Sequence, residues 1–313
     1  MNRTEFYYDS RDNASKIHAI KWVPDTDPVG ILIIVHGMAE HLGRYETFAE
    51  YMCEKGFVVA GNEHLGHGDS VGQGPKGYFC SRDAATVLVR DVHRLKKTIQ
   101  EEYPGLPIFI FGHSMGSLIT RNYLTRYGTG IEGAIICGTL MMSKGMLAMM
   151  GFMCRLLMIV QGSKHPSLFM NQVGFGSYCK RIENPRTPYD WLTKDTAIVN
   201  RYMADPNCGF FFTLNGFLTL KELLARLHDK SLLSQIPTDL PIFFIYGSED
   251  PCGEYGVAVR KVINQYKELG IKDVSDKCYE GDRHELLNEI DRDVVMKDIY
   301  EWINDRLPGS KSE

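Results

Sequence analysis

Residues 107–120 read Pro-Ile-Phe-Ile-Phe-Gly-His-Ser-Met-Gly-Ser-Leu-Ile-Thr, and this stretch decides the fold. Its first part, residues 108–111, is continuously apolar, which is typical of a central parallel strand covered on both faces. Behind Ser114, apolar residues recur at helical spacing as far as Gly128, a residue type that often ends a helix. The stretch therefore predicts a strand, a sharp turn at Ser114 and a helix in immediate succession.

Ser114 is flanked by Gly112 and Gly116, which gives the pattern Gly-x-Ser-x-Gly. A strand that reverses into a helix within a few residues crowds the backbone, and side chains at the flanking positions would collide. Such a turn exposes the serine hydroxyl and places the free N–H groups of the helix start beside it. In this setting the pattern predicts a nucleophilic serine rather than a chance match.

The composition narrows the class of protein. A chain of 313 residues with 44% hydrophobic residues can bury the core of one large α/β domain or of a domain with an insertion. A formal charge of -4 gives no reason to expect nucleic acid as a partner. The 8 cysteines show no disulfide or zinc spacing, and residues 1–10 lack the apolar core of a signal peptide. We therefore expect a cytoplasmic protein with reduced thiols.

Apolar strand patterns alternate with helical patterns along most of the chain. The predicted strands are residues 31–35, 57–60, 108–111, 131–137, 240–246 and 274–279. Residues 4–8 and 16–23 are predicted to form antiparallel edge strands, and residues 309–313 a polar tail. The alternation predicts an α/β fold with a mostly parallel central sheet and helices on both faces.

The alternation breaks between residues 139 and 227, where only helical stretches occur. We therefore predict an α/β-hydrolase core formed by residues 1–138 and 228–313, with residues 139–227 inserted as a helical cap. Within the cap, residues 146–160 are apolar nearly all round but too few to span a bilayer. Further cap helices are predicted at residues 188–204 and 214–227.

We interpret residues 146–160 as a lid helix that faces an apolar substrate, because an insertion on an α/β sheet has little core of its own to fill. The candidate substrate-binding residues on this helix are Met146, Met150, Met153 and Leu157. The same apolar run suggests a transient contact between the cap and a membrane surface.

A loop of ten residues follows the strand at residues 31–35 and reads His36-Gly-Met-Ala-Glu-His-Leu-Gly-Arg-Tyr45. A strand end that turns through a glycine leaves backbone N–H groups over the sheet edge, which is the geometry that an oxyanion donor needs. The candidate donors are the backbone amides of Met38 and Met115.

Two polar loops contain further titratable residues. His36 and Glu40 are expected to hydrogen-bond the loop backbone rather than to take part in catalysis, and Glu40 is also a candidate substrate-binding residue. His64 and His67 lie in a loop whose glycines argue against a helix, and no cysteine or carboxylate cluster completes a metal site with them. We therefore expect no metal and no organic cofactor.

A serine at neutral pH is a poor nucleophile, so it requires a general base and an acid that orients the base. In open α/β sheets such groups lie in loops beyond the carboxyl ends of strands. After the cap, His284 meets this condition as the base, and Asp250 is the candidate acid with Glu249 as its rival. Asp282 is too near His284 in sequence to reach behind its ring easily. The order of serine, acid and histidine is the one expected of an α/β-hydrolase.

Four motifs resemble those of the monoacylglycerol lipase and lysophospholipase group of α/β-hydrolases. They are residues 36–45, Gly66-His-Gly-Asp-Ser70, Gly112-His-Ser-Met-Gly116 and Gly247-Ser-Glu-Asp250, together with His284. The resemblance covers nearly the whole chain, is weakest in the cap, and extends there to residues 195–206. It implies Ser114, Asp250 and His284 as a catalytic triad, with the amides of Met38 and Met115 as the oxyanion hole.

Two positions depart from this group. Ala39 stands where the group often has glycine, and alanine there fits a negative backbone φ. Leu287 stands where animal monoacylglycerol lipases carry a second histidine that contacts the glycerol moiety, which leaves the head group of the substrate open.

The sequence thus predicts a serine carboxylester hydrolase that cleaves lipid-like esters, of monoacylglycerol or lysophospholipid type, through an acyl-enzyme on Ser114. An esterase of small or aromatic acyl esters and a serine peptidase are alternatives on the same scaffold. A small-molecule receptor with a retained hydrolase pocket is the alternative without catalysis. The natural substrate and the oligomeric state do not follow from the sequence.

Overall fold

The computed structural model describes residues 1–307, so the tail predicted at residues 309–313 lies outside it. Eight strands form one sheet: β1 (Asn2–Asp9), β2 (Lys16–Val23), β3 (Gly30–Val35), β4 (Phe57–Asn62), β5 (Ile108–His113), β6 (Gly133–Cys137), β7 (Ile242–Gly247) and β8 (Val274–Tyr279). Their order is β1-β2-β4-β3-β5-β6-β7-β8. Strand β2 is antiparallel to β1 and β4, and every other neighbouring pair is parallel. The predicted α/β-hydrolase sheet with an antiparallel edge is confirmed.

The helices cover both faces of the sheet. They are α1 (Glu46–Glu54), α2 (Ala84–Glu102), α3 (Met115–Tyr127), α4 (Lys144–Gln161), α5 (Leu168–Phe175), α6 (Thr196–Ala204), α7 (Leu214–Arg226), α8 (Lys230–Leu233), α9 (Val257–Glu268) and α10 (Arg292–Asn304). One hydrophobic core lies between the sheet and α2, α3, α7 and α9, and a second lies between the sheet and α1 and α10. Because neighbouring side chains of a strand point to opposite faces, Ile33 enters the first core and Leu32 and Ile34 the second. This explains the continuous apolar runs of the central strands.

The chain between β6 and β7 contains α4 to α8. Helix α4 is longer than predicted, since Ser143 caps it by accepting a hydrogen bond from the amide of Met146 at 3.2 Å. Helix α5 was not predicted, and only the second half of the helix predicted at residues 188–204 forms, as α6. The buried Leu223 and Leu224 of α7 belong to the same core as one face of the sheet. The division into core and cap at residues 139–227 stays a prediction.

Helix α4 has a packed side and an open side. Leu147, Gly151 and Cys154 are buried, and the helix packs along α7. Its outer side exposes Met149, Phe152, Leu156, Ile159 and Val160. Among the described residues, α4 is the one helix that is long and apolar enough to cross a membrane by length and composition alone, a criterion that core helices also meet.

Candidate active site

Ser114 lies at the sharp turn between β5 and α3. Its backbone has φ 54° and ψ -118°, a conformation that costs a non-glycine residue about 1 to 3 kcal/mol. The two flanking glycines are sterically required. A β-carbon at Gly116 would lie 1.9 Å from the carbonyl oxygen of Val35, and one at Gly112 would lie 2.3 Å from Oγ1 of Thr120. The turn therefore has the strand, strain and crowding that the Gly-x-Ser-x-Gly pattern predicts.

His284 and Asp250 form a buried pair. Nδ1 of His284 lies 3.0 Å from Oδ2 of Asp250, and the side chains are 2% and 0% exposed. The other carboxylate oxygen of Asp250 accepts a hydrogen bond from the amide of Cys252 at 2.8 Å. Since the carboxylate accepts the Nδ1 proton, Nε2 is the ring nitrogen left to act as a base.

The competing acids lie elsewhere. The side chain of Glu249 is 56% exposed and 3.8 Å from Nε of Arg283. Asp282 pairs with Nζ of Lys194 at 2.6 Å. Of the three carboxylates that the sequence left as candidates, the structure brings Asp250 alone to the ring of His284.

A cavity of about 430 Å³ brings the predicted residues together. Ser114 and His284 line it, and so do Met38 and Met115, which carry the two candidate oxyanion donors. Within residues 1–307 no hydrogen bond joins Oγ of Ser114 to the His284 ring, a contact that in free enzymes is often long and shortens with substrate bound. The first turn of α3 also lines the cavity, and the positive end of the helix dipole there favours negative charge.

The loop that carries Met38 has an unexpected backbone conformation. Ala39 has φ 53°, so the condition under which alanine should be tolerated at this position, a negative φ, is not met. The left-handed conformation costs an alanine about 1 to 2 kcal/mol, which explains why glycine suits the position. The amide of Ala39 donates to Nε2 of His67 at 3.1 Å, and this bond helps to hold the strained turn.

Glu40 belongs to the same loop, and its side chain is buried. Its Oε1 accepts hydrogen bonds from the amide of Gly37 at 2.5 Å and from the hydroxyl of Tyr45 at 2.8 Å. Its Oε2 accepts one from Arg44 at 2.7 Å, and Arg44 also binds both carboxylate oxygens of Glu285. The predicted bond from Glu40 to the loop backbone is thus present. Glu40 lines the cavity, but its carboxylate oxygens are occupied by the protein.

His113 is a residue that the sequence analysis did not single out. Its Nε2 lies 3.3 Å from the carbonyl oxygen of His284, and its Nδ1 lies 3.2 Å from Oε1 of Glu40. Burial favours a lower pKa for His113, but the bond to Glu40 outweighs burial and raises this pKa. Despite burial, the same bond, together with Arg44, holds the pKa of Glu40 well below its usual range. His113 thus links the loop that carries Met38 and Glu40 to the loop of His284. The position of His113 inside the Gly-x-Ser-x-Gly pattern is the feature of the sequence that could have pointed to it.

The histidines of the two polar loops form hydrogen bonds with the backbone, which for His36 is the predicted role. Nε2 of His36 accepts from the amide of His64, and Nε2 of His64 donates to the carbonyl of His36. Burial lowers the pKa of His64 to about 3 and that of His67 to about 4, so both rings are neutral at pH 7. Neutral rings can accept from backbone amides, which suits loop structure.

Three groups of side chains in the described residues have the spacing to hold a metal ion. They are His41, Asp205 and Cys208, then Asp250, Cys252 and His284, then His18, Glu63 and Asp69. In the second group the histidine and the aspartate bind each other. Burial, aided by the charge of Asp250, raises the pKa of Cys252, so its thiol is protonated and a weak ligand. The expectation that no metal is needed stays a prediction.

The cap residues around the cavity differ from those predicted. Met146, Met150, Met153 and Leu157 are not among the lining residues. Met146 is 54% exposed, and the other three pack against the core that α4 shares with α7. The interpretation of α4 as the substrate-facing helix is therefore corrected. The assumption behind it was wrong, because α4 packs along α7 against the core that the insertion shares with one face of the sheet.

Helix α5 and the segment before α6 form the cavity wall instead. The main apolar lining side chains of the cap are Leu168, Phe175, Tyr189, Trp191, Phe210 and Leu220. The ring of Trp191 lies 5.0 Å from the ring of His284. A signal for α5 was present in the sequence, since Ser167 precedes an apolar run and accepts a hydrogen bond from the amide of Met170.

A profile of the family described as serine aminopeptidase, S33, matches residues 26–291. The monoacylglycerol lipase of Mycolicibacterium smegmatis is 27% identical over 291 residues, which are 91% of this chain and 92% of that protein. The monoglyceride lipase of Rattus norvegicus is 25% identical over 91% of this chain and 86% of its own. A solved structure of a highly thermostable carboxyl esterase from Bacillus coagulans, in complex with glycerol, is 32% identical with a TM-score of 0.90, over 98% of this chain and 100% of its own. The chain therefore belongs to the serine aminopeptidase S33 family of α/β-hydrolases.

Proposed function

We propose that the protein is a serine carboxylic ester hydrolase for lipid-like esters, with Ser114, His284 and Asp250 as its catalytic triad. The observation that carries the proposal is the buried pair of His284 and Asp250 in the same cavity as a strained serine. This arrangement supplies the nucleophile, the base and the orienting acid that acyl transfer requires.

In the proposed reaction, Oγ of Ser114 attacks the ester carbonyl while Nε2 of His284 takes the hydroxyl proton. Asp250 holds the Nδ1 proton and stabilises the imidazolium. The amides of Met38 and Met115 donate to the oxyanion of the tetrahedral intermediate. The imidazolium then protonates the departing alcohol, and a water activated by His284 hydrolyses the acyl-enzyme. No step of this sequence uses a cofactor.

The cavity supports an acyl chain as the preferred ligand. Its cap side is formed by aliphatic and aromatic side chains, which reward each buried methylene by about 0.8 kcal/mol. The names of the relatives, monoacylglycerol lipase and monoglyceride lipase, agree with a monoacylglycerol substrate. Leu287 lies outside the cavity lining and packs against the core beside α10, so it gives no contact to a head group.

A serine peptidase is the second candidate, because the description of the family names a serine aminopeptidase. An aminopeptidase needs a free carboxylate near the serine to bind the α-amino group of its substrate. Glu40 and Glu285 line the cavity, but Arg44 bridges them at 2.5 to 2.7 Å. Because both carboxylates are paired with Arg44, neither is free to bind an α-amino group, and this favours the esterase over the peptidase.

The outer face of the cap supports a transient contact with a lipid surface. The exposed side chains of α4 are continued on α5 by Leu168, Phe169 and Val173, each at least half exposed. Such a surface can rest at the boundary between head groups and acyl chains. A contact there would bring the cavity close to membrane-borne substrate.

All eight cysteines are free thiols, which agrees with the proposed cytoplasmic location.

The decisive experiment reacts the protein with p-nitrophenyl esters of increasing chain length and follows the acyl-enzyme by intact mass. We expect an adduct on Ser114, faster turnover with longer acyl chains, and a loss of about four to six orders of magnitude in kcat for Ser114→Ala. Labelling of Ser114 by a fluorophosphonate probe distinguishes the enzyme from a receptor that binds without turnover. A Ser114→Ala protein that keeps most of its activity would refute the proposal.

Flotation with phosphatidylcholine liposomes tests the lipid contact separately. Wild-type protein should float in part, and Phe152→Glu should float less, because the ring is 58% exposed on α4. Val294→Glu is the matched control, since Val294 is 50% exposed on α10, which packs on the other face of the sheet from α4. If all wild-type protein stays in the soluble fraction, the contact is excluded under these conditions.

A further inference from the structure

The carbonyl oxygen of Ala39 receives two hydrogen bonds from the insertion. The hydroxyl of Tyr202, at the end of α6, donates to it at 3.1 Å, and the amide of Gly209 donates at 3.0 Å. Ala39 directly follows Met38, whose amide is a proposed oxyanion donor. We call residues 36–45 the oxyanion loop, and the insertion therefore contacts this loop at its backbone.

The backbone amides on both sides of Met38 are held by hydrogen bonds. The amide of Gly37 donates to Glu40, and the amide of Ala39 donates to His67. Both of these partners precede the insertion in the chain, whereas the partners of the Ala39 carbonyl belong to it. Because Ala39 has φ 53°, a conformation that alanine leaves when it is free to do so, the turn depends on these bonds.

Tyr202 is itself held firmly. It is 7% exposed, and the guanidinium of Arg44 lies 4.8 Å from the centre of its ring. Three residues later, Asp205 accepts a hydrogen bond from Nε2 of His41 at 2.8 Å. The end of α6 is thus attached to the oxyanion loop at both Ala39 and His41.

We propose that Tyr202 is a positioning residue for the oxyanion hole, so that the hole is complete only while α6 is docked on the loop. The proposal rests on the proposed function, because it gives the Met38 amide a role in the chemical step. Loss of the Tyr202 hydroxyl removes one of the two donors that hold the Ala39 carbonyl. The Ala39 backbone can then relax toward a negative φ and turn the Met38 amide away from the oxyanion.

Tyr202→Phe tests this, because it removes the hydroxyl and keeps the ring under Arg44. Tyr8→Phe is the matched control: the Tyr8 hydroxyl also donates to a backbone carbonyl, that of Asp91 at 3.0 Å, but lies on the edge strand β1. We expect Tyr202→Phe to lower kcat about tenfold, since direct removal of an oxyanion donor costs about 10²- to 10³-fold. KM should change less than about twofold, and Tyr8→Phe should leave both values unchanged.

Two inhibitors separate positioning from general loosening of the site. An alkyl trifluoromethyl ketone adds to the serine and places an oxyanion in the hole, whereas the alkyl alcohol of equal length fills only the cavity. We expect Tyr202→Phe to weaken the ketone about tenfold and the alcohol less than about twofold. Thermal unfolding of both variants reports whether each is folded.

The outcomes are distinct. Unchanged kcat and unchanged ketone affinity in Tyr202→Phe would overturn the inference and leave the proposed function intact. Equal weakening of both inhibitors would also overturn it, since that result describes a disturbed cavity. A wild-type protein that neither hydrolyses esters nor labels Ser114 would overturn the proposed function and this inference with it.

Discussion

Gly116, in the first turn of α3, lies against the backbone of Val35 at the end of β3, so that a β-carbon on residue 116 would be 1.9 Å from the Val35 oxygen. The same β-carbon would be 2.5 Å from the carbonyl oxygen of His36, where the oxyanion loop begins. This contact sets how closely α3, with Ser114 before it, approaches the loop of Met38. The position of Ser114 relative to Met38, which carries one proposed oxyanion donor, is therefore set by contact with backbone atoms.

Gly116→Ala should therefore damage both folding and activity. The neighbouring atoms are backbone and cannot rotate away, so we expect a loss of about 3 kcal/mol in the free energy of unfolding. Urea denaturation measures it. Gly174→Ala is the matched control, because a β-carbon there meets nothing within 4 Å and alanine favours the helix. Equal stability of the two variants would contradict the contact described for Gly116.

Asp250→Asn should lower kcat by about 10³- to 10⁴-fold with little change in KM, because an amide cannot hold His284 in the required tautomer. Steady-state hydrolysis of a p-nitrophenyl ester is the measurement. Glu249→Gln alters the neighbouring carboxylate, which is exposed and near Arg283, and should keep activity within about twofold. A larger loss in Glu249→Gln than in Asp250→Asn would reassign the acid.

Phe175→Ala should lower kcat/KM for long-chain esters about tenfold and have little effect on acetate esters. The ring lines the cavity and stacks on Trp191 at 6.4 Å, so its removal costs contact with the acyl chain. Met153→Ala is the control, because Met153 packs against the core on α4 and is not among the lining residues. It should reduce stability and leave the chain-length preference as it was. A shifted preference in Met153→Ala would restore α4 to the substrate site.

Asp91 makes the stability depend on pH. The side chain is 1% exposed, and burial raises its pKa to about 7, with Asp12 adding to the rise and the bonds from Ser10 and Arg11 opposing it. The unfolded chain loses this proton near pH 4, whereas the folded chain keeps it until about pH 7. Stability should thus fall as pH rises from 4 to 7, by at most about 1.4 kcal/mol per unit.

Asp91→Asn removes this titration. The amide can still accept from the backbone of Arg11 and bond to Ser10, which are the two partners of the carboxylate. We expect the variant to gain stability relative to wild type as pH rises, with a plateau above pH 7. Urea denaturation of both proteins at pH 4.5, 6 and 8 measures the difference, in which the titration of all other groups largely cancels. A difference that does not change with pH would show that Asp91 ionises normally.

The sequence alone determined the parts of the protein that depend on neighbours in the chain. The apolar run of residues 108–111, the glycines around Ser114 and the change to helical spacing describe one local object, a strand, a turn and a helix. Repetition of this pattern implied a parallel sheet, and a parallel sheet brings the carboxyl ends of its strands to one edge. For this reason the positions of Ser114 and His284 followed from the sequence.

Only the tertiary structure decided which side chains meet in and around the cavity. It placed Asp250 rather than Glu249 on His284, made α5 rather than α4 the wall of the cavity, and put Tyr202 on the carbonyl of Ala39. An apolar helix can satisfy its periodicity against substrate, lipid or another helix with equal ease. Which of these it meets depends on contacts between residues far apart in the chain, where local pattern carries no information.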